Sequence, residues 1–181
     1  MASMAETGTR TRRPPKRKLV EGHARSYFEA ITGRNPDVIA SHWGADGVAD
    51  IVPLVVLRGP EQIKGFFREL FAAFPDLETT VARVVADDKH AAVEWRMAGT
   101  FSGRSFQGID PTGKPVEMRG VDLLEIQEQA IVSSVTYYDG AEFARQVGML
   151  PPRDSGPERA MKNTFNAVTR VRRAMGDRLG S

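Results

Sequence analysis

The segment from Val116 to Ile126 places one carboxylate among apolar neighbours. Successive side chains of a strand point to opposite faces. One set here is Val116, Met118, Gly120, Asp122, Leu124 and Ile126; the other is Glu117, Arg119, Val121, Leu123 and Glu125. The first set is apolar apart from Asp122. The second carries the charges and suits solvent or a partner. An ionised carboxylate taken out of water without a partner is expensive. Asp122 is therefore hydrogen-bonded, paired with a cation such as Arg96, or raised in pKa until it is neutral near pH 7. A carboxyl raised in this way suits general acid–base catalysis. The competing reading is a structural aspartate that caps a helix or anchors an arginine.

The next strand, Ile131 to Tyr138, puts Val132, Ser134, Thr136 and Tyr138 on one face. The last three carry hydroxyls that both donate and accept. The short turn Glu128-Gln129-Ala130 pairs this strand with the previous one, which sets hydroxyls beside Asp122. In His90–Thr100 the apolar set is Val93, Trp95, Met97 and Gly99. Trp95, Met118, Leu124 and Tyr138 are the expected walls of a pocket, with Tyr27 and Trp43 as further aromatic candidates. Ser134 and Thr136 would orient a substrate oxygen. The same residues also read as ordinary packing and polar strand filling.

Other chemistries find little support. The histidines are His23, His42 and His90, without a His-Glu-x-x-His or His-x-His pattern, so no metal is expected. Neither Gly-x-x-x-x-Gly-Lys nor Gly-x-Gly-x-x-Gly occurs, nor does Gly-x-Ser-x-Gly. The chain has no cysteine, which excludes thiol catalysis. No cofactor is expected.

The elements that must position Asp122 read as helices first and strands after. Val20, Ala24, Tyr27, Phe28 and Ile31 recur at helical spacing over Leu19–Thr32. Asp37–Trp43 reads as a short second helix. Gly44–Leu57 reads as extended, interrupted at Pro53. Pro60–Phe74 is a third helix, with Ile63, Phe66, Phe67, Leu70, Phe71 and Phe74 as a wide aromatic stripe and Pro60 at its first position. Strands follow at Leu77–Ala86, His90–Thr100, Lys114–Gln127 and Ile131–Tyr138. This order predicts an α+β fold with helices packed on one face of an antiparallel meander. After the Asp154-Ser155-Gly156-Pro157 linker, Glu158–Leu179 predicts an extra helix. Met161, Phe165, Val168, Val171 and Met175 form a stripe that would dock on its own domain or on a partner.

The chain has 181 residues, 41% hydrophobic and 27% charged, which fits one domain with tails. Three divisions are expected: a disordered basic tail over 1–18, an α+β domain over 19–152, and a linker with its amphipathic helix over 153–181. Six basic residues against Glu6 give the first eighteen residues +5, which leaves −3 for the rest of a total of +2. No aromatic residues interleave with those charges, so specific nucleic-acid binding is not expected. No apolar run is long enough to span a membrane, and no apolar leader opens the chain, so a cytoplasmic location is expected.

Several segments together resemble the SnoaL-like polyketide cyclases of the nuclear-transport-factor-two-like superfamily. They are Leu57-Arg58-Gly59-Pro60-Glu61, Phe74-Pro75-Asp76-Leu77, Gly108-Ile109-Asp110-Pro111-Thr112-Gly113-Lys114, Gly120-Val121-Asp122, Tyr138-Asp139 and Gln146-Val147-Gly148-Met149-Leu150-Pro151. The resemblance spans about Val20 to Leu150. It implies a cone-shaped curved sheet, three N-terminal helices closing an apolar cavity, and a homodimer through the outer sheet face. It also implies cofactor-free deprotonation of a hydrophobic ketone ester, followed by aldol ring closure. Asp122 matches the family's inward histidine or aspartate. Where the family's final strand carries its principal acid, this chain has Thr136, within Ser133-Ser134-Val135-Thr136. Phe101 replaces the usual histidine after Gly-Thr and would make the pocket greasier. Three readings stay open: an aldol cyclase using Asp122, an epoxide hydrolase or isomerase on the same scaffold, and a non-catalytic binding or dimerisation module.

Overall fold

The structure, a computed structural model, describes residues 16–179. Its elements are α1 (Lys16–Thr32), α2 (Pro36–Ser41), β1 (Trp43–Val52), β2 (Val55–Arg58), α3 (Gly59–Ala73), β3 (Glu78–Ala86), β4 (His90–Thr100), β5 (Pro115–Gln127), β6 (Ala130–Tyr138), α4 (Gly140–Val147) and α5 (Gly156–Leu179). The expected basic tail falls mostly outside the described residues. Lys16, Arg17 and Lys18 form the first turn of α1.

The helical spacing read from the sequence is the buried face of α1: Val20, Ala24, Tyr27, Phe28 and Ile31 all lie inside. Asn35 caps α2, its side chain accepting from the Val38 N–H, with Pro36 in the first turn. In α3 the stripe Ile63, Phe66, Phe67 and Leu70 is buried. Each such side chain contributes about 1.5–3 kcal/mol on burial. α1 lies on β3 and β4, and α3 lies on β1 and β2, with α2 bridging to both helices. The fold is the α+β class expected.

The strands form a six-stranded sheet in the order β2-β1-β6-β5-β4-β3. From β3 to β6 it is the antiparallel meander expected. β1, however, runs parallel to β6, with Ile51 opposite Thr136, so the sheet is mixed. A parallel neighbour cannot be reached through a tight turn and needs a long connection. Here that connection is everything from β2 to β5. Register shifts in β1 between Trp43 and Val48, in β3 between Val81 and Arg83, and in β6 between Ile131 and Ser133, opposite Ile126 and Glu125, bend the sheet round its helices. At Pro53, preceded by a cis peptide, the chain leaves β1 and turns into β2.

α4 is an element the sequence reading did not anticipate. Its ends are well marked: the Asp139 carboxylate accepts from the Glu142 N–H, and Gly148 closes the helix at φ 91°. Gln146 ties it to the start of β5, donating to the Glu117 carbonyl and accepting from the Glu117 N–H.

α5 starts with a capping arrangement in which Ser155 Oγ accepts from the Glu158 N–H and the Glu158 carboxylate accepts from the Asp154 N–H. Its stripe does not dock on the other described residues. Met161, Val168, Val171 and Met175 are exposed, and Phe165 is 70% exposed.

Candidate active site

The concave face of the sheet and the inner sides of α1 and α3 enclose a void. Its volume is about 80 Å³. At roughly 10–15 Å³ for each water, it holds about half a dozen waters. A ligand of several rings therefore has to displace the half-buried side chains at the mouth: Ile51, Leu54, Met118, Tyr138 and Phe143. The deep wall is Phe28 and Ile31 from α1, Phe66, Phe67 and Leu70 from α3, Trp95 and Met97 from β4, and Phe106. Phe106 belongs to the β4–β5 connection, which is pinned to the end of α3. The Gly103 and Arg104 N–H groups donate to the carbonyls of Ala73 and Ala72.

Asp122 is the one carboxylate in this lining. It is 6% exposed, and alternation along β5 places it inward as expected. Register puts it between Val93 of β4 and Thr136 of β6. The Trp95 indole N–H donates to Asp122 Oδ1 at 2.8 Å. The Thr136 hydroxyl lies beside the same carboxylate. Burial pushes the Asp122 pKa up to about 6, and the two donors hold it back from rising further. No arginine clamp forms: Arg96 is on the outer face and pairs with Glu117.

Gly120 explains how Trp95 reaches the carboxylate. Trp95 and Gly120 are register partners, and the indole lies across the space a Cβ at 120 would fill. A larger residue there would lift the ring away from Asp122.

The remaining expected site residues divide. Trp95, Met118, Thr136 and Tyr138 line the void with Asp122. Leu124 and Ser134 are buried on the same face and pair with one another, but two residues beyond Asp122, outside the lining. Phe101 does not line it either: it is fully buried and stacks on Phe74, ring centroids 5.1 Å apart. Its backbone still exchanges hydrogen bonds with Lys114 and Gly113 past the end of β4, and its ring fills the core beside Phe74 rather than the void. Tyr27 and Trp43 stand behind the lining, 6.0 Å apart in an edge-to-face pair. Burial, and then the charge of Asp122, push the Tyr27 phenol well up. The Trp43 indole N–H lies near that phenol without a hydrogen bond of normal geometry. His42 packs against His23 and Tyr27, and burial followed by the His23 charge lowers its pKa.

Sequence reasoning finds the aromatic stripe of α3 without placing it in the site, and does not name Phe106 or Phe143; all of these line the void except Ile63, Phe71 and Phe74. The width of the α3 stripe was the available signal, since it exceeds what one packed layer needs. Among the described residues, no group of three or more His, Asp or Glu stands together to hold a metal ion. No helix among them is long and apolar enough to cross a membrane.

A curved sheet wrapped round an apolar void, with one inward carboxylate, defines the class of small helix-capped α+β domains. The chain belongs to the SnoaL-like polyketide cyclase family, whose model matches residues 21–147. A solved structure from Jannaschia sp. CCS1, named for the same family, is 22% identical with a TM-score of 0.68, covering 78% of this chain and 99% of that one. AclR from Streptomyces galilaeus, to which hydroxylase activity has been attributed, is 19% identical with a TM-score of 0.65, covering 87% of this chain and 97% of that one. An LEH-like epoxide hydrolase of M. tuberculosis is 16% identical with a TM-score of 0.60, covering 74% and 92%. At these identities the likeness is one of fold. A comparison with curated proteins finds no match.

Proposed function

We propose that the chain is a cofactor-free acid–base enzyme acting on a hydrophobic small molecule, with Asp122 as its proton-transfer group and polyketide-type aldol cyclisation as its reaction. One observation carries this reading: among the described residues a single carboxylate, Asp122, faces the apolar cavity, and its burial pushes its pKa up to about 6. A general base works best when its pKa lies near the working pH. In the proposed cycle the Asp122 carboxylate takes a proton from the carbon next to a ketone. The enolate oxygen accepts a hydrogen bond from the Tyr138 hydroxyl, and Thr136 holds the carboxylate in place. The enolate carbon attacks a second carbonyl of the same molecule, and the proton on Asp122 passes to the new alkoxide.

Epoxide opening fits less well. It favours two acids with an arginine between them, and the lining has Asp122 alone and no arginine. The binding-module reading draws support from Thr136, which occupies the place of the family's principal acid. A homodimer through the outer sheet face belongs to the same proposal. That face presents an apolar row running from Val85 through Ala92 and Leu123 to Val135.

The test needs no natural substrate. Enolisation shows as solvent deuterium entering the α-carbon of an aromatic β-keto ester. Wild-type protein should catalyse this exchange, with a rate that climbs with pH through about 6 as Asp122 ionises. Asp122→Asn should lower it by roughly a hundredfold or more, the usual contribution of a positioned base. Ligand binding without exchange in the wild type would favour the binding module.

A further inference from the structure

Among the described residues Asp122 has no counter-charge. Its immediate partners are a neutral indole N–H and a neutral hydroxyl. The ionisable neighbour behind it, Tyr27, is an acid. Among the described residues no lysine, arginine or histidine lines the cavity. The cavity that holds the carboxylate is lined by Phe28, Phe66, Phe67, Phe106, Phe143 and Trp95, with isoleucine, leucine and methionine side chains between the rings.

An anion sunk among rings is half of an ion pair. Aromatic faces carry negative charge density and attract cations, most strongly where water is excluded. A small metal or ammonium ion would have to give up its hydration to a wall that offers only the oxygens of Asp122, Thr136 and Tyr138. An alkylated ammonium loses far less. Its charge lies beneath methyl and methylene groups, so its outer surface matches the phenyl walls while its field reaches the carboxylate.

We propose that this cavity binds a lipophilic ammonium, a tertiary or quaternary amine on an aromatic or alicyclic body, with its charged head against Asp122 and its body among the rings. This rests on the acid–base reading only in that both put Asp122 in contact with the ligand. It does not require turnover. Such a ligand and a neutral ketone would compete for one volume.

Benzyltrimethylammonium and its uncharged isostere neopentylbenzene separate charge from shape. Their binding to the full chain is followed by quenching of tryptophan fluorescence and by calorimetry between about pH 4.5 and pH 8. Near pH 8 the ammonium should bind roughly tenfold or more tighter than the isostere, the return of one buried ion pair with cation–π support. That preference should fade as pH falls and Asp122 takes up its proton, near 6. The isostere should show no such loss.

The groups that face Asp122 are Tyr27 from α1, Trp95 from β4, and Thr136 and Tyr138 from β6; α3 and β1 contribute only apolar side chains to the cavity. Neither phenol titrates in this range, since burial raises both. His42, behind Tyr27, does titrate below its ordinary value, so His42→Gln should keep the full pH response. Asp122→Asn should abolish the preference at every pH.

Equal binding of the two probes near pH 8 would overturn the proposal, as would a preference surviving in Asp122→Asn or failure of both probes to bind. The wild-type pH series stands alone if a variant does not fold. Deuterium exchange without ammonium preference would leave the acid–base reading in place and remove this one. Preference without exchange would do the reverse.

Discussion

Asp122 is held at a cost to the fold, and the cost has a sign that can be read from pH. Its folded pKa is raised from 3.8 to about 6. Between those values the native state binds more protons than the unfolded chain, so stability falls as pH rises and levels off above about 6. The difference is on the order of 3 kcal/mol, at 1.36 kcal/mol per unit. Thermal denaturation of the wild type should therefore show a melting temperature that declines from about pH 4 to pH 6. Asp122→Asn should flatten that decline and melt higher than wild type near pH 8. A carboxylate freely solvated in the native state would give equal slopes for both proteins. Strand alternation was enough to place this residue inward, because a single polar side chain in an otherwise apolar set has one face available. Alternation says nothing about distance along the strand. That is why Leu124 and Ser134 share the correct face yet stand outside the void, and why Phe101, with the parity of Trp95 and Met97, packs on Phe74 beyond the lining.

Adjacent strands cooperate to aim the carboxylate. Gly120 leaves the gap, Trp95 crosses it from β4, and the indole N–H meets Asp122 two residues further along β5. Gly120→Ala adds a methyl that collides with the Trp95 ring and lies 2.6 Å from the Tyr137 carbonyl oxygen. Overpacking of this kind destabilises by about 1–3 kcal/mol. The variant should melt lower than wild type, and its tryptophan emission should shift as Trp95 loses its hydrogen bond. An unchanged melting point and spectrum would mean the ring does not rest on Gly120. Most elements were legible within one to three residues, since their periodicities are long and their ends carry Pro, Gly or Asn. The parallel β1–β6 pairing was not, because hydrophobic pattern does not encode which strand lies beside which. α4 escaped for a different reason. It is eight residues long, with Val147 as its one buried side chain, so its caps were a stronger signal than its periodicity.

At the scale of the molecule, two apolar surfaces stand without a partner among the described residues: the outer sheet face and the stripe of α5. On the sheet, Leu123 is 46% exposed, and Val85 and Tyr137 are exposed with it. Cross-strand register aligns Val85, Ala92, Leu123 and Val135 into one row, and Asp50 ends the row on β1. An isologous dimer pairs one such patch with its own copy about a two-fold axis, and an exposed apolar row is the surface that gains most from that pairing. The α5 stripe lies beyond the stretch shared with the family, and on its other face Arg159, Lys162, Arg170 and Arg173 concentrate positive charge. Bringing two such helices together adds repulsion that salt at physiological strength screens over about 8 Å. Sedimentation can tell the surfaces apart. If the sheet face carries the dimer, Leu123→Glu should yield a monomer whose melting temperature stays close to that of wild type. An exposed side chain contributes little to its own fold, and changes there usually stay within about 0.5 kcal/mol. Phe165→Glu should then leave the dimer intact. The opposite pattern, with association lost only in Phe165→Glu, would move the interface to α5 and leave the outer row of the sheet as solvent-facing surface.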